Sequence, residues 1–124
     1  MRFMMLVKGP ENSGYPPQAL IDAIDKETAD ATKDGTLVTA GGLGLTKDGA
    51  QVRIKHGKVV VTDGPFTEAK EVIGGFAIFE LPSREVALQN AKQFMELHVK
   101  HWPGWEGECE VRQMQDGPPG EPPK

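Results

Sequence analysis

The sequence predicts an α+β sandwich, with two helices covering one face of a mainly antiparallel sheet. Three observations carry that expectation. Apolar runs without helical period stand at Phe3 to Val7 and at Phe76 to Leu81, the pattern of strands covered on both faces. Each is followed by a long amphipathic stretch that ends at a glycine stop, Asp34-Gly35 or Pro103-Gly104. Between the two units, β-branched runs flank His56-Gly57, a two-residue signature of a tight hairpin.

The elements follow in order. Gly9-Pro10 ends the first strand, and Asn12, Ser13, Gly14, Pro16 and Pro17 mark a loop. A helix is expected from about Pro17 to Lys33, since proline is tolerated in a first turn. Its apolar face is Leu20, Ala23, Ile24, Thr28 and Ala31, with Glu27 in the middle. Leu37-Val38-Thr39-Ala40 is a short strand leading into Gly41-Gly42-Leu43-Gly44. The hairpin strands Val52 to Lys55 and Lys58 to Thr62 come next, then the stiff turn Asp63-Gly64-Pro65-Phe66. Ser83 is a good N-cap for a second helix to about His101, and Glu108 to Met114 alternates as the last strand. The order β-α-β, hairpin, β-α-β is ferredoxin-like. Because a domain this small leaves the second sheet face bare, a homodimer with sheets face to face is expected.

Composition bounds the function. The 124 residues form one domain with a net charge of −4, and residues 63–124 hold 11 acids against 6 bases. An acidic chain of this kind is a poor general nucleic-acid binder, which needs cations to displace counterions from phosphates. One cysteine, Cys109, excludes an internal disulfide and a multi-thiolate metal site. No apolar run is long enough for a membrane span, and the opening residues read as a strand, not a signal peptide, so a cytoplasmic protein is expected.

The second helix carries the sharpest chemical signal. Ala87, Leu88, Ala91, Phe94, Met95, Val99 and Trp102 form one stripe, and His98 falls inside it. Such a histidine is either a core residue satisfied by one backbone carbonyl or a general acid/base lining a pocket between helix and sheet. Glu27 on the first helix either snorkels to solvent or meets His98 as an orienting carboxylate; Asp63 is the other candidate for that role. The Asp63 turn presents Phe66 and the Glu68 carboxylate as ligand contacts, or else serves only as a crossover. Trp102-Pro103-Gly104-Trp105 is read as core packing or as an aromatic wall. The spacing His98-x-x-His101 is unspecific for metal, Gly41-Gly42-Leu43-Gly44 opens no helix for a phosphate, and no nucleophile elbow is present. No metal or cofactor is expected.

The stretch from Val59 to Glu68, centred on Asp63-Gly64-Pro65-Phe66, with Lys70-Glu71 and Gly74-Gly75-Phe76, resembles the DGPF proteins of the YCII-related family. The opening strand, Val38 to Leu43 and the Ser83 helix fit as well, so the likeness covers about residues 1–115, with 116–124 a flexible Pro/Gly-rich tail. Glu96-Leu97-His98 through Trp105-Glu106-Gly107 looks like one branch of these proteins. The resemblance implies a bacterial-type dimeric α+β barrel of ferredoxin-like protomers. It also implies that smaller relatives use a His–Asp pair whose histidine comes from the first helix, where Ile24 stands here. Glu27 and His98 are the groups left to serve instead. Two functions are therefore expected as alternatives. One is small-molecule binding with His98, Asp63 and Glu27 as chemical groups, in a cofactor-free enzyme or a binding protein. The other is a non-catalytic regulatory or interaction protein associated with transcription, as in accessory domains beside sigma factors.

Overall fold

The computed structural model describes residues 1–66 and 71–116. Strands β1 (Arg2–Gly9), β2 (Leu37–Gly42), β5 (Val72–Glu80) and β6 (Glu108–Gln113) form a four-stranded sheet. Its order is β2-β5-β1-β6, with every neighbouring pair antiparallel. The hairpin strands β3 (Ala50–Lys55) and β4 (Lys58–Asp63) form a separate two-stranded sheet. Helix α1 (Gln18–Lys33) connects β1 to β2, and α2 (Arg84–His101) connects β5 to β6. This is the expected ferredoxin-like α+β arrangement, with β5 starting earlier than its apolar core and two short 3₁₀ turns at Glu11–Ser13 and Thr46–Asp48.

Local chemistry explains the boundaries. Ser83 caps α2 by accepting the Val86 N–H at 3.2 Å. α1 has no such side-chain cap; Pro17 stands at its N-terminus and Gly35, at φ 84°, turns the chain out at its end. In the hairpin turn His56 and Gly57 have φ 51° and 76°, both positive, as a type I′ turn requires.

Alternation along β1 divides the sheet into two faces. Phe3 and Met5 point to the helices and pack with Leu81, Ala87 and Ala91, joined by Phe79, Cys109 and Val111. Met4 and Leu6 point the other way and pair with Ile78 and Phe76; this second face is half-buried. On the same face Phe76 lies over Gly41 of β2, where an added Cβ would press the ring. The stripe of α2 is narrower than its sequence suggests. Ala87, Ala91 and His98 are buried, but Leu88 is exposed and Val99 is 78% exposed, because the helix presents the edge through Ala87 and Ala91 to the sheet. In the hairpin, Val52, Ile54, Val59 and Val61 share one exposed face. Glu68 and residues 117–124 of the expected 116–124 tail lie outside the described residues.

Candidate functional site

The last turn of α2 places His98 beside Trp105 and the Glu106-Gly107 step that precedes β6. Its side chain is 6% exposed, and its Nδ1 lies 3.0 Å from the Phe94 carbonyl. A carbonyl only accepts, so Nδ1 carries the hydrogen and donates it. In the neutral ring, Nε2 is then the nitrogen with the free lone pair.

Aromatic rings frame that imidazole on two sides. Phe94 is 4.9 Å away between centroids, tilted by 58°, and Trp105 is 4.8 Å away, tilted by 35°. Trp102 does not touch the cavity. It stacks on Trp105 at 5.6 Å and 19°, which helps to hold that indole in place. Gly104, at φ 86°, allows the chain to double back so that the Trp105 N–H reaches the Trp102 carbonyl at 3.1 Å. Two further glycines admit the indole: a Cβ at Gly9 would come within 2.8 Å of its ring, and one at Gly107 would strike both the ring and the Lys8 carbonyl.

Beside His98 is an open cavity of about 400 Å³ lined also by Met95, Val99, Trp105, Glu106 and Gly107. Trp105 and the Glu106-Gly107 step thus contribute more to the site than sequence reasoning assigned them. Their signal was the pair of glycines on either side of Trp105, visible in the sequence but silent about what they approach.

The other expected site residues are distributed differently. Asp63, exposed, ends β4, and Phe66 is half-buried after a cis Gly64–Pro65 peptide. This turn is pinned by the Gly64 N–H to the Gly49 carbonyl at 2.9 Å and by the Phe66 N–H to Thr46 Oγ1 at 3.3 Å. Thr46 is in turn bonded to Glu11, two residues beyond the end of β1, where Gly9 carries Trp105. No hydrogen bond or ion pair joins Asp63 to His98 among the described residues.

Glu27 lines a different cavity, between the two helices, with His101 and not with His98. Burial pushes its carboxyl above the ordinary range, and the nearby Asp30 charge adds to the rise. Cys109 is half-buried in the core and its thiol is pushed up by burial, the opposite of an activated thiolate. No group of three His, Cys, Asp or Glu side chains among the described residues is placed to hold a metal ion. No helix among them is long and apolar enough to cross a membrane.

Fold and site together define a small α+β protein with a histidine-lined cavity at one end of its sheet. The family model for the YCII-related domain matches residues 1–96, and the chain belongs to that family. The match stops short of His98, Trp102 and Trp105. No curated protein matches the chain.

Proposed function

We propose that this protein binds a small molecule in the cavity beside His98 and acts on it, without a cofactor, by proton transfer through that imidazole. The observation that carries the reading is the open cavity that the buried ring lines together with Trp105. The bond from Nδ1 to the Phe94 carbonyl holds the ring's orientation from within its own helix and leaves Nε2 as the nitrogen with the lone pair. Trp105 supplies a flat wall, and Trp102 backs it. Asp63 and Phe66 belong to a turn tied through Thr46 and Glu11 to the same end of the sheet, which supports a contribution from that loop to a ligand's outer side.

In the working form a second copy covers the apolar sheet face of Met4, Leu6, Phe76 and Ile78, because half-buried side chains of this size gain from leaving water. Thermal-shift screening of a metabolite library, followed by ¹⁵N NMR of His98, tests the function. A ligand that stabilises the protein and moves the Nε2 resonance supports the reading. If none of the stabilising compounds perturbs His98, the ring is only structural. The non-catalytic reading, a regulatory or interaction protein, would then stand; it draws on the same burial and single internal bond of that ring.

A further inference from the structure

The hairpin of β3 and β4 stands out from the rest of the molecule as an arm. The chain leaves the large sheet for it after Gly42 of β2 and returns through β5. That is the end of the sheet where Gly42, Gly75, Val7 and Cys109 lie level across the four strands. Among the described residues neither strand of the arm packs on a helix or on the large sheet. Every residue from Val52 to Asp63 is exposed. A two-stranded hairpin is marginal in water by itself. One face of the arm is nevertheless apolar: Val52 pairs with Val61 and Ile54 with Val59, each between 63% and 81% exposed. Alternation puts Arg53, Lys55 and Lys58 on the other face. Residues 50–62 hold these three bases and no acid, which leaves 11 bases against 18 acids in the rest of the chain.

We propose that the arm clasps a second copy of this chain, its apolar face laid on the neighbour and its cations bordering the neighbour's acidic strand edge. The inference rests on the sheet-to-sheet pairing proposed above and adds the contact that completes it. A stable interface buries about 800 Å² per partner and engages about 20–30 residues a side. The half-buried Met4, Leu6, Phe76 and Ile78 fall well short of that, and the arm holds four more apolar side chains in one block. Symmetry then says where the arm lands. A two-fold axis parallel to the strands and between the sheets lays the β2 edge of each copy over the β6 edge of the other, with like ends together. β2 and β6 are the two edges of the sheet, and the arm leaves at the end where β6 begins. Each arm thus falls beside Glu106 and Glu108 of its neighbour, which are exposed and in no ion pair among the described residues. Long stems let Lys55 and Lys58 reach round so narrow a ribbon, and opposite charges at the rim select this register. Two arms packed on each other would instead bring like charges together.

The test is a charge exchange followed by analytical ultracentrifugation of the full chain. The arm variant Lys55→Glu/Lys58→Glu and the edge variant Glu106→Lys/Glu108→Lys alter only exposed side chains, so each should keep the parent's circular dichroism. Each alone should dissociate at least about tenfold more readily than the parent, because both of its arms then meet like charge. Mixed in equal amounts, the two variants should recover most of the lost affinity, since every arm in the mixed dimer meets opposite charge. In a dimer of labelled and unlabelled parent, the methyl groups of Val52, Ile54, Val59 and Val61 should give NOEs between copies. Absence of these NOEs from a dimer, or weakening of the variants without recovery on mixing, would overturn the clasp. A dimer that Leu6→Lys disrupts and both charge variants leave intact would overturn the clasp and leave the sheet pairing standing. A parent of monomer mass would overturn both. Saturable binding of a fluorescein-labelled DNA oligonucleotide, lost only in the arm variant, would assign the cations to nucleic acid and overturn the clasp as well.

Discussion

Glu11 accepts two hydrogen bonds from Thr46, one from its backbone N–H at 2.8 Å and one from its hydroxyl at 2.7 Å. The same hydroxyl oxygen accepts the Phe66 N–H, so one threonine ties together three loops far apart in sequence. These bonds hold the Glu11 carboxyl below the usual glutamate range. A depressed folded pKa means the contribution is present above the unfolded value and lost as pH falls through the folded one. Thr46→Val removes the hydroxyl but keeps the shape. It should raise the Glu11 pKa toward its ordinary value in a ¹³C NMR titration, and speed amide exchange at Phe66.

Gly64 lies against the Thr46 carbonyl so closely that any Cβ would overlap backbone atoms. Backbone cannot swing aside as a side chain can. Gly64→Ala should therefore destabilise the fold by about 1–3 kcal/mol in urea unfolding, the usual cost of overpacking. The same substitution at Gly44, where a Cβ meets nothing within 4 Å, is the control and should change little.

Gly107→Ala places a methyl group against both the Trp105 ring and the Lys8 carbonyl. The indole is the part that can yield, so it should leave its stack on Trp102 and its place beside His98. Tryptophan fluorescence should change in wavelength or intensity. Any ligand found for the His98 cavity should bind at least about tenfold more weakly, because the wall that positions it is gone.

Glu27 gives a pH signature of opposite sign to Glu11. Its folded pKa is raised above the ordinary 4.5, with burial the larger cause and Asp30 the smaller. Between the two values the folded chain holds more protons than the unfolded one, so this group lowers stability as pH rises through that window. Glu27→Gln has no proton to lose. The difference between variant and parent in urea midpoint should therefore shift in favour of Glu27→Gln as pH rises from about 4 to 7. A difference that is flat with pH would show the carboxyl to be ordinary.

If a second copy covers the sheet face, Leu6→Lys should abolish it. Leu6 points away from the helices, so the change introduces a charge into the interface and spares the core around Phe3 and Met5. Light scattering should report a dimer for the parent and a monomer for the variant, with circular dichroism unchanged. A parent of monomer mass would remove the barrel from the proposal.

Much of the architecture was legible because it is written in local patterns. The apolar runs at Phe3 and Phe76, the Ser83 cap and the His56-Gly57 turn each constrain a few neighbouring residues, and short-range sterics and hydrogen bonding settle them. The inward turn of His98 also followed from helical period alone. What periodicity did not decide was which edge of α2 the sheet would take; Val99 lies just off that edge and faces water.

The sequence by itself therefore determined the elements, their order and the face on which His98 lies. Tertiary structure alone decided its company: Trp105 folded back over it through Gly104, while Glu27 went to a separate hollow with His101. The reason is physical. A helix repeats every few residues and announces its own faces, but two helices pack through the shapes of many side chains at once, and no single stretch of chain encodes which groups will meet.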